Sequence, residues 1–132
     1  MDILKRTLAP IFPAAWDVID EQAKTTLSAL LSGRRVVDVT GPLGWNTDSV
    51  SEGAISLAEE TPVEGVNYGI RESLPLVELR VPFTLSMWEL DNVSRNSKTV
   101  DLNPVIEAAR KAALFEDLAI FKGLEEAGIL GL

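Results

Sequence analysis

The sequence predicts an α+β chain, and three observations lead to that prediction. Apolar residues recur at helical spacing over residues 14–31 and again over residues 104–123, and a glycine stands at or just beyond the end of each run. Between the two runs, short β-branched or alternating segments are typical of strands. A length of 132 residues fits one domain, or a small domain with an arm.

The composition excludes several classes of function. The chain has 12 Lys and Arg against 20 Asp and Glu, a net charge of −8, which disfavours partners such as nucleic acid and anionic membranes. It has no Cys and no His, so thiolate chemistry, Cys-ligated metals and a histidine base are excluded. The composition therefore points away from most enzyme classes and offers no metal-ligand cluster. With no signal-like segment and no apolar run of membrane-spanning length, we expect a cytoplasmic protein.

The first third of the chain predicts a helix followed by a strand. Pro10 and Pro13 make residues 1–13 an irregular lead-in, and Pro13 suits the opening turn of a helix that Gly33 ends. The β-branched residues at 36–39 then predict a strand that stops at Gly41-Pro42.

The middle of the chain predicts a hairpin arm. Residues 54–58 and 66–70 read as two strands, joined by an acidic turn at 59–65. Few large side chains are available to give this hairpin a core of its own, and an isolated hairpin is marginal in water. We therefore expect the arm to lie on another subunit.

The last third predicts a strand, a loop and a long helix. Residues 74–90 alternate with period two, although Pro75 and Pro82 interrupt any ladder, and residues 91–100 are polar. Asp101 or Asn103 caps a helix that begins near Pro104. Glu116 and Asp117 are adjacent on this helix and face different directions, so we expect them on a solvated or interface face.

Four blocks of residues, in order along the whole chain, resemble one known family. The blocks are Leu4-Lys5-Arg6 with Leu8-Ala9-Pro10, Trp16 and Ile19-Asp20; residues 33–39 with Gly41-Pro42; residues 73–80 with 82–85 and 88–92; and residues 115–117 with Ile120-Phe121 and Gly123. Together they resemble the N-terminal half of encapsulins, the bacterial nanocompartment shell proteins also described as linocin-type bacteriocins.

The resemblance implies a partial tailed-phage major-capsid-like fold. Residues 1–49 would supply the N-terminal helix and a strand of the peripheral domain, residues 50–73 the extended arm, and residues 74–132 a long strand and the spine helix. The axial domain and the rest of the peripheral domain have no counterpart in this sequence. We therefore expect a truncated form, a fragment or one piece of a split subunit.

The resemblance also implies a function. Family members self-assemble into closed icosahedral shells in the cytoplasm and enclose cargo such as ferritin-like proteins or dye-decolorising peroxidases through a terminal targeting peptide. The resemblance thus implies a shell protein that is not an enzyme and requires no cofactor. The alternative is a flavin-binding or other enzyme-like member of the family. Trp88 matches a tryptophan beside which some members bind flavin, and it otherwise reads as a core or interface anchor.

The positions that match the family's cargo groove are Leu27, Leu31, Arg34 and Asp38. Leu27 and Leu31 are one helical turn apart and form an apolar strip, while Arg34 and Asp38 offer a donor fork and an acceptor to an extended peptide. The alternative is that both leucines are core residues and both charges are solvated.

Overall fold

The structure is a computed structural model that describes residues 4–132. Within that range it has three α-helices and one two-stranded antiparallel sheet, which confirms the mixed helix and sheet class. In chain order the elements are α1 (Pro13–Leu30), β1 (Ser49–Leu57), β2 (Gly69–Pro75), α2 (Met87–Ser94) and α3 (Asn103–Lys122).

These elements fall into two compact units. The first contains the described residues up to Gly33 together with Leu79–Asp117, and so holds α1, α2 and most of α3. The second contains Arg34–Glu78 and Leu118–Leu132, and so holds the sheet and the end of α3. The three-part division at residues 49 and 73 stays a prediction.

Both long helices are confirmed close to their predicted bounds. Pro13 occupies the first turn of α1, where its missing N–H has no intrahelical acceptor to lose. Beyond α3, Gly123 has a φ of 88°, and a Cβ there would lie 2.5 Å from the carbonyl oxygen of Ile129. Glycine therefore both ends the helix and lets the last residues fold back against it.

The core of the first unit lies where the three helices meet. Its buried side chains come from each helix and from the residue just before α3: Ala15, Ile19, Leu90, Leu102 and Val105. Half-buried apolar side chains, including Trp16, pack around this cluster. The periodic spacing in α1 is therefore explained by one buried stripe.

The prediction of a long strand over 74–90 is wrong. Strand β2 ends at Pro75, the next eleven residues belong to no strand, and α2 begins at Met87. The two prolines remove ladder donors, and alternation alone does not supply a partner strand. Ser86 then starts a helix, since its Oγ accepts a hydrogen bond from the N–H of Trp88 at 3.2 Å.

The predicted strand at 36–39 is also wrong. A single 3₁₀ turn at Gly33–Arg35 follows α1, and the structure assigns no strand before Ser49 in the described chain. Val36 and Val39 are 61% and 58% exposed. β-branched residues favour a strand only where a neighbour completes the ladder, and within the described range this segment has none.

The predicted hairpin is present, with its second strand starting at Gly69 rather than Val66. The register pairs Ser49 with Pro75 at one end and Leu57 with Gly69 at the other, with an irregularity between Ser51 and Ile55. Gly53 lies in that irregularity with a φ of 72°. This left-handed conformation is typical of a β-bulge and is strained for residues other than glycine. All nine residues of β1 are exposed.

Candidate functional site

An apolar groove runs along the first unit between α1, α3 and the extended segment at 79–83. Its volume is about 350 Å³. The lining residues are Arg6, Trp16, Ile19, Asp20, Ala23, Leu27, Leu79, Val81, Phe83, Val105, Ala108, Ala109 and Ala112. The helical period places Ile19, Ala23 and Leu27 on one face of α1, and those residues line the groove from that side.

The charged residues of the groove satisfy each other. The guanidinium of Arg6 donates two hydrogen bonds to the carboxylate of Asp20, at 2.8 and 2.7 Å. The hydrogen bonds from Arg6 hold the pKa of Asp20 below its usual range. Arg6 also lies over the ring of Trp16, 4.6 Å from its centroid, in a cation–π contact. The rim of the groove is thus preorganised and its two charges are paired.

The chain just beyond α1 is held by a carboxylate on α3. Asp117 accepts hydrogen bonds from the N–H of Gly33 at 2.9 Å, from the N–H of Ser32 at 3.2 Å and from the hydroxyl of Ser32 at 3.0 Å. The Gly33 hydrogen bond, followed by those from Ser32, lowers the pKa of Asp117 from its usual value. This contact fixes the direction in which the chain leaves α1.

The structure places the four predicted cargo residues in two groups. Leu27 and Leu31 are half-buried, and the N–H of Leu31 donates to the carbonyl of Leu27 at 2.9 Å. Leu27 lines the groove, and Leu31 is the residue that ends α1. Arg34 and Asp38 are exposed and belong to the second unit, Arg34 within the 3₁₀ turn and Asp38 in irregular chain. The assignment of the four residues to one cargo site stays a prediction.

Trp88 lies in α2, at the start of the helix, and its side chain is 78% exposed. Trp88 is therefore not a core residue of this chain, and its role as an interface anchor stays a prediction. The possible flavin beside Trp88 finds no support in the structure, and Trp88 does not belong to the lining of the groove between α1, α3 and residues 79–83. A ring this exposed gives a flavin one face to stack on and no enclosing pocket.

The described range was also compared with the requirements of a metal site and of a membrane span. Residues 4–132 contain no group of three or more acidic side chains placed to hold a metal ion. No helix in that range is long and apolar enough to cross a membrane.

The second unit exposes apolar residues along both strands of its hairpin. Val50, Ile55 and Leu57 on β1 are 47%, 53% and 78% exposed, and Ile70 on β2 is 66% exposed. Alternate residues of a strand point to opposite faces, so Ile55 and Leu57 share one face of β1, and Val50 and Ile70 add apolar surface elsewhere on the hairpin. This hairpin carries no buried apolar residue of its own among the described ones.

The sequence did not predict the roles of two residues, Asp117 and Ser86. The sequence predicts a solvated or interface face for Asp117. Only the fold reveals that it reaches residues 32 and 33, because they lie 85 and 84 positions away in the sequence. Ser86 had a readable signal, since Ser86 and Glu89 have the spacing of a helix capping box. In the structure Glu89 accepts hydrogen bonds from the backbone N–H of Asp101 and the side chain of Asn92 instead.

Comparison with known proteins gives one family and a set of similar relatives. A family model described as "Encapsulating protein for peroxidase" matches residues 1–132. The type 1 encapsulin shell protein of Rhodospirillum rubrum is 47% identical over 137 residues, and the corresponding protein of Mycobacterium tuberculosis is 48% identical over 132 residues. Each alignment covers 100% of this chain and 49% of the relative. The chain therefore spans about half the length of the curated relatives it matches.

Proposed function

This chain belongs to the family of encapsulating proteins whose model matches all of its residues, and we propose that it is part of a shell protomer. In this proposal it supplies about half of a shell subunit with a tailed-phage major-capsid-like fold, and that subunit assembles with copies of itself into a closed cytoplasmic cage. The identity of 47–48% to proteins named as type 1 encapsulin shell proteins, over the whole chain, carries the proposal. The relatives are shell proteins and not enzymes, and we assign this chain no catalytic activity.

The exposed hairpin supports the assembly part of the proposal. A two-stranded hairpin with no covered face is marginal in water, and its free edges are templates for pairing with another chain. In an assembly, neighbouring subunits would bury the apolar side chains of β1 and β2. The hairpin would then act as the extended arm that links one protomer to the next.

Assembly is tested by particle size. The purified chain, alone and mixed with the full-length relative from Mycobacterium tuberculosis, is examined by electron microscopy and light scattering. We expect the chain to enter closed particles, and we expect Ile70→Asp in the arm to prevent this. Leu43→Asp is the matched control, because Leu43 is 57% exposed and lies outside the hairpin. Exclusion of the unmodified chain from particles under all these conditions contradicts the proposal.

The proposed cargo is an enzyme that carries a targeting peptide, and the family description names a peroxidase. An extended peptide would lay apolar side chains along Leu27 and Leu31 and place polar groups within reach of Arg34 and Asp38. The half-burial of the two leucines and the exposure of the two charged residues support this assignment.

Peptide titration tests the cargo site separately from assembly. A labelled targeting peptide is titrated against the chain joined to the half of the relative that it does not match. Leu31→Ala and Asp38→Ala should each weaken binding by about 1 kcal/mol or more, the threshold for a contact that matters. Leu30→Ala and Asp17→Ala, at exposed positions of α1 outside the predicted set, serve as controls. Equal binding by all four variants contradicts the site and leaves the shell role untouched.

A further inference from the structure

A cleft of the first unit opens beside the loop that joins α2 to α3, and we call it the loop cleft. Its volume is about 460 Å³, which lies within the range of small-molecule sites. Its walls are aliphatic and come from Val18, Val93, Val100 and Leu102. Among the described residues, the lining includes no aromatic ring and no acidic side chain. A ligand with an aliphatic body therefore gains by burying that body against these walls.

The loop beside the cleft is fixed by its own hydrogen bonds. The N–H of Asn96 donates to the carbonyl of Val93 at 3.1 Å, and the N–H of Ser97 donates to the carbonyl of Asn92 at 2.9 Å. The hydroxyl of Ser97 donates to the carbonyl of Thr99 at 2.9 Å and accepts from the N–H of Thr99 at 3.2 Å. These main-chain donors are engaged within the loop, so they are not available to pair with the main chain of an extended peptide.

Two donor side chains at the edge of the loop cleft have no partner. Within the part of the chain that the structure describes, neither the ammonium of Lys98 nor the side-chain amide of Asn96 takes part in a hydrogen bond or an ion pair. Arg95 of the same loop, by contrast, donates to the side-chain oxygen of Asn92 at 2.7 Å. An ammonium and an amide above an aliphatic floor offer two donors to one carboxylate.

We propose that the loop cleft binds a small aliphatic carboxylate. Its carboxylate accepts hydrogen bonds from Lys98 and Asn96, and its hydrocarbon part lies against the valine and leucine walls. Lys98 is the one cation of the lining among the described residues, so the cleft recognises a single negative charge. The inference goes beyond the proposed function and does not depend on assembly, and the cleft shares no residue with the proposed cargo site.

Titration of hexanoate into the dilute chain tests the site, with the amide signals of Ser97, Lys98 and Val100 followed by NMR. We expect saturable shifts with a dissociation constant of about 1 mM or below, as for a ligand of this size. Lys98→Gln removes the ammonium and should weaken binding by about tenfold or more, since hydrogen bonds to charged groups are the strong ones. Lys111→Gln is the matched control at an exposed lysine of α3 outside the cleft, and it should change binding by less than about twofold.

Asn96→Gly tests the second donor without straining the loop. Asn96 has a φ of 60°, which glycine adopts readily. This substitution should weaken hexanoate binding by about threefold or more. An unchanged circular dichroism spectrum in each variant shows that lost binding is not lost folding.

Two further ligands test the assignment on the unmodified chain. Hexanamide keeps the hydrocarbon and lacks the charge, whereas acetate keeps the charge and lacks the hydrocarbon, so each should bind about tenfold more weakly than hexanoate or worse. Equal binding of hexanamide and hexanoate, or unchanged binding of hexanoate to the Lys98→Gln variant, overturns the proposal. Binding of the peptide Gly-Gly-Leu that is tighter than that of hexanoate by about tenfold or more also overturns it, because the cleft would then recognise the end of a polypeptide.

Discussion

The helical unit and the hairpin use apolar residues in opposite ways. In the helical unit, Ile19 of α1 is 6% exposed and Leu90 of α2 is 4% exposed, each covered by the other helices. In the hairpin, Ile55 is 53% exposed and Leu57 is 78% exposed, although β1 and β2 pair along most of their length. Backbone pairing alone therefore shapes the hairpin, whereas side-chain burial shapes the helical unit.

This difference indicates what each region needs in order to be stable. Burial of an aliphatic side chain stabilises the folded state by about 1.5–3 kcal/mol. The helical unit obtains this stabilisation from contacts within one chain. The hairpin leaves the same kind of side chain in water, so the corresponding contribution is available only from a neighbour. A shell built from many copies would supply such neighbours.

The largest expected effect comes from making the same substitution in both regions and comparing the loss of stability. Ile19→Ala removes buried methylene groups and should lower the free energy of unfolding by about 2–5 kcal/mol. Ile55→Ala in the dilute chain should change it by less than about 0.5 kcal/mol, as for a surface position. Urea unfolding of the two variants followed by circular dichroism measures both values. Similar losses from the two substitutions would mean that the hairpin has a buried face after all.

A second prediction concerns the link between α1 and the chain that follows it. Asp117→Asn should weaken the acceptor of the hydrogen bonds from Ser32 and Gly33, since an ionised carboxylate accepts more strongly than an amide oxygen. Amide exchange at Ser32 and Gly33 should become faster, while exchange in the middle of α1 should not change. Glu107→Gln, an exposed acid on the same helix, is the control and should leave both amides unaffected. Unchanged exchange in the Asp117→Asn variant contradicts the structural role of this carboxylate.

A third and smaller effect is the dependence of stability on pH through Asp20. Its pKa is lowered in the folded chain by the hydrogen bonds from Arg6, so the folded state favours the ionised carboxylate. The resulting stabilisation is fully present above the usual pKa of an aspartate, about 3.9, and is lost as the pH falls through the lowered value. Because the side chains of Arg6 and Asp20 are partly exposed, we expect this stabilisation to be below about 1 kcal/mol.

The free energy of unfolding, measured at several pH values between neutral and about pH 2, tests this effect, because that interval includes the usual pKa of an aspartate. The difference in stability between the unmodified chain and Asp20→Asn should shrink over that interval as the pH falls. Asp17→Asn on the same helix is the control. If the difference in stability between the two proteins stays constant with pH, the contact between Arg6 and Asp20 adds nothing to stability.

The parts of the fold that the sequence predicted are those fixed by local periodicity. The spacing around Ile19 and the position of Pro13 are enough to place α1, and Pro104 with Gly123 is enough to bound α3. The strand predictions at 36–39 and 74–90 failed because a strand requires a partner, and no local pattern states whether one is present. The contact of Asp117 was missed for a similar reason, since the groups that donate to its carboxylate belong to Ser32 and Gly33, on a distant part of the chain.

The assignment of a cargo site came only from the resemblance, and it stays a prediction. Composition excluded histidine and cysteine chemistry, and spacing placed Leu27 and Leu31 on one side of α1. The groove itself depends on how α1, α3 and the segment at 79–83 meet, which the sequence pattern does not determine. The paired state of Arg6 and Asp20 likewise arises from tertiary contact, because the two residues are 14 positions apart.

Amide hydrogen exchange across the hairpin tests most directly the claim that this chain has one self-sufficient region and one that needs neighbours. It is measured on the dilute chain and again on particles formed with the full-length relative. We predict slow exchange in α1 and α3 in both samples, and exchange in β1 and β2 that is fast in the dilute chain and slow in particles. Equal protection of β1 and β2 in the dilute chain would contradict the account.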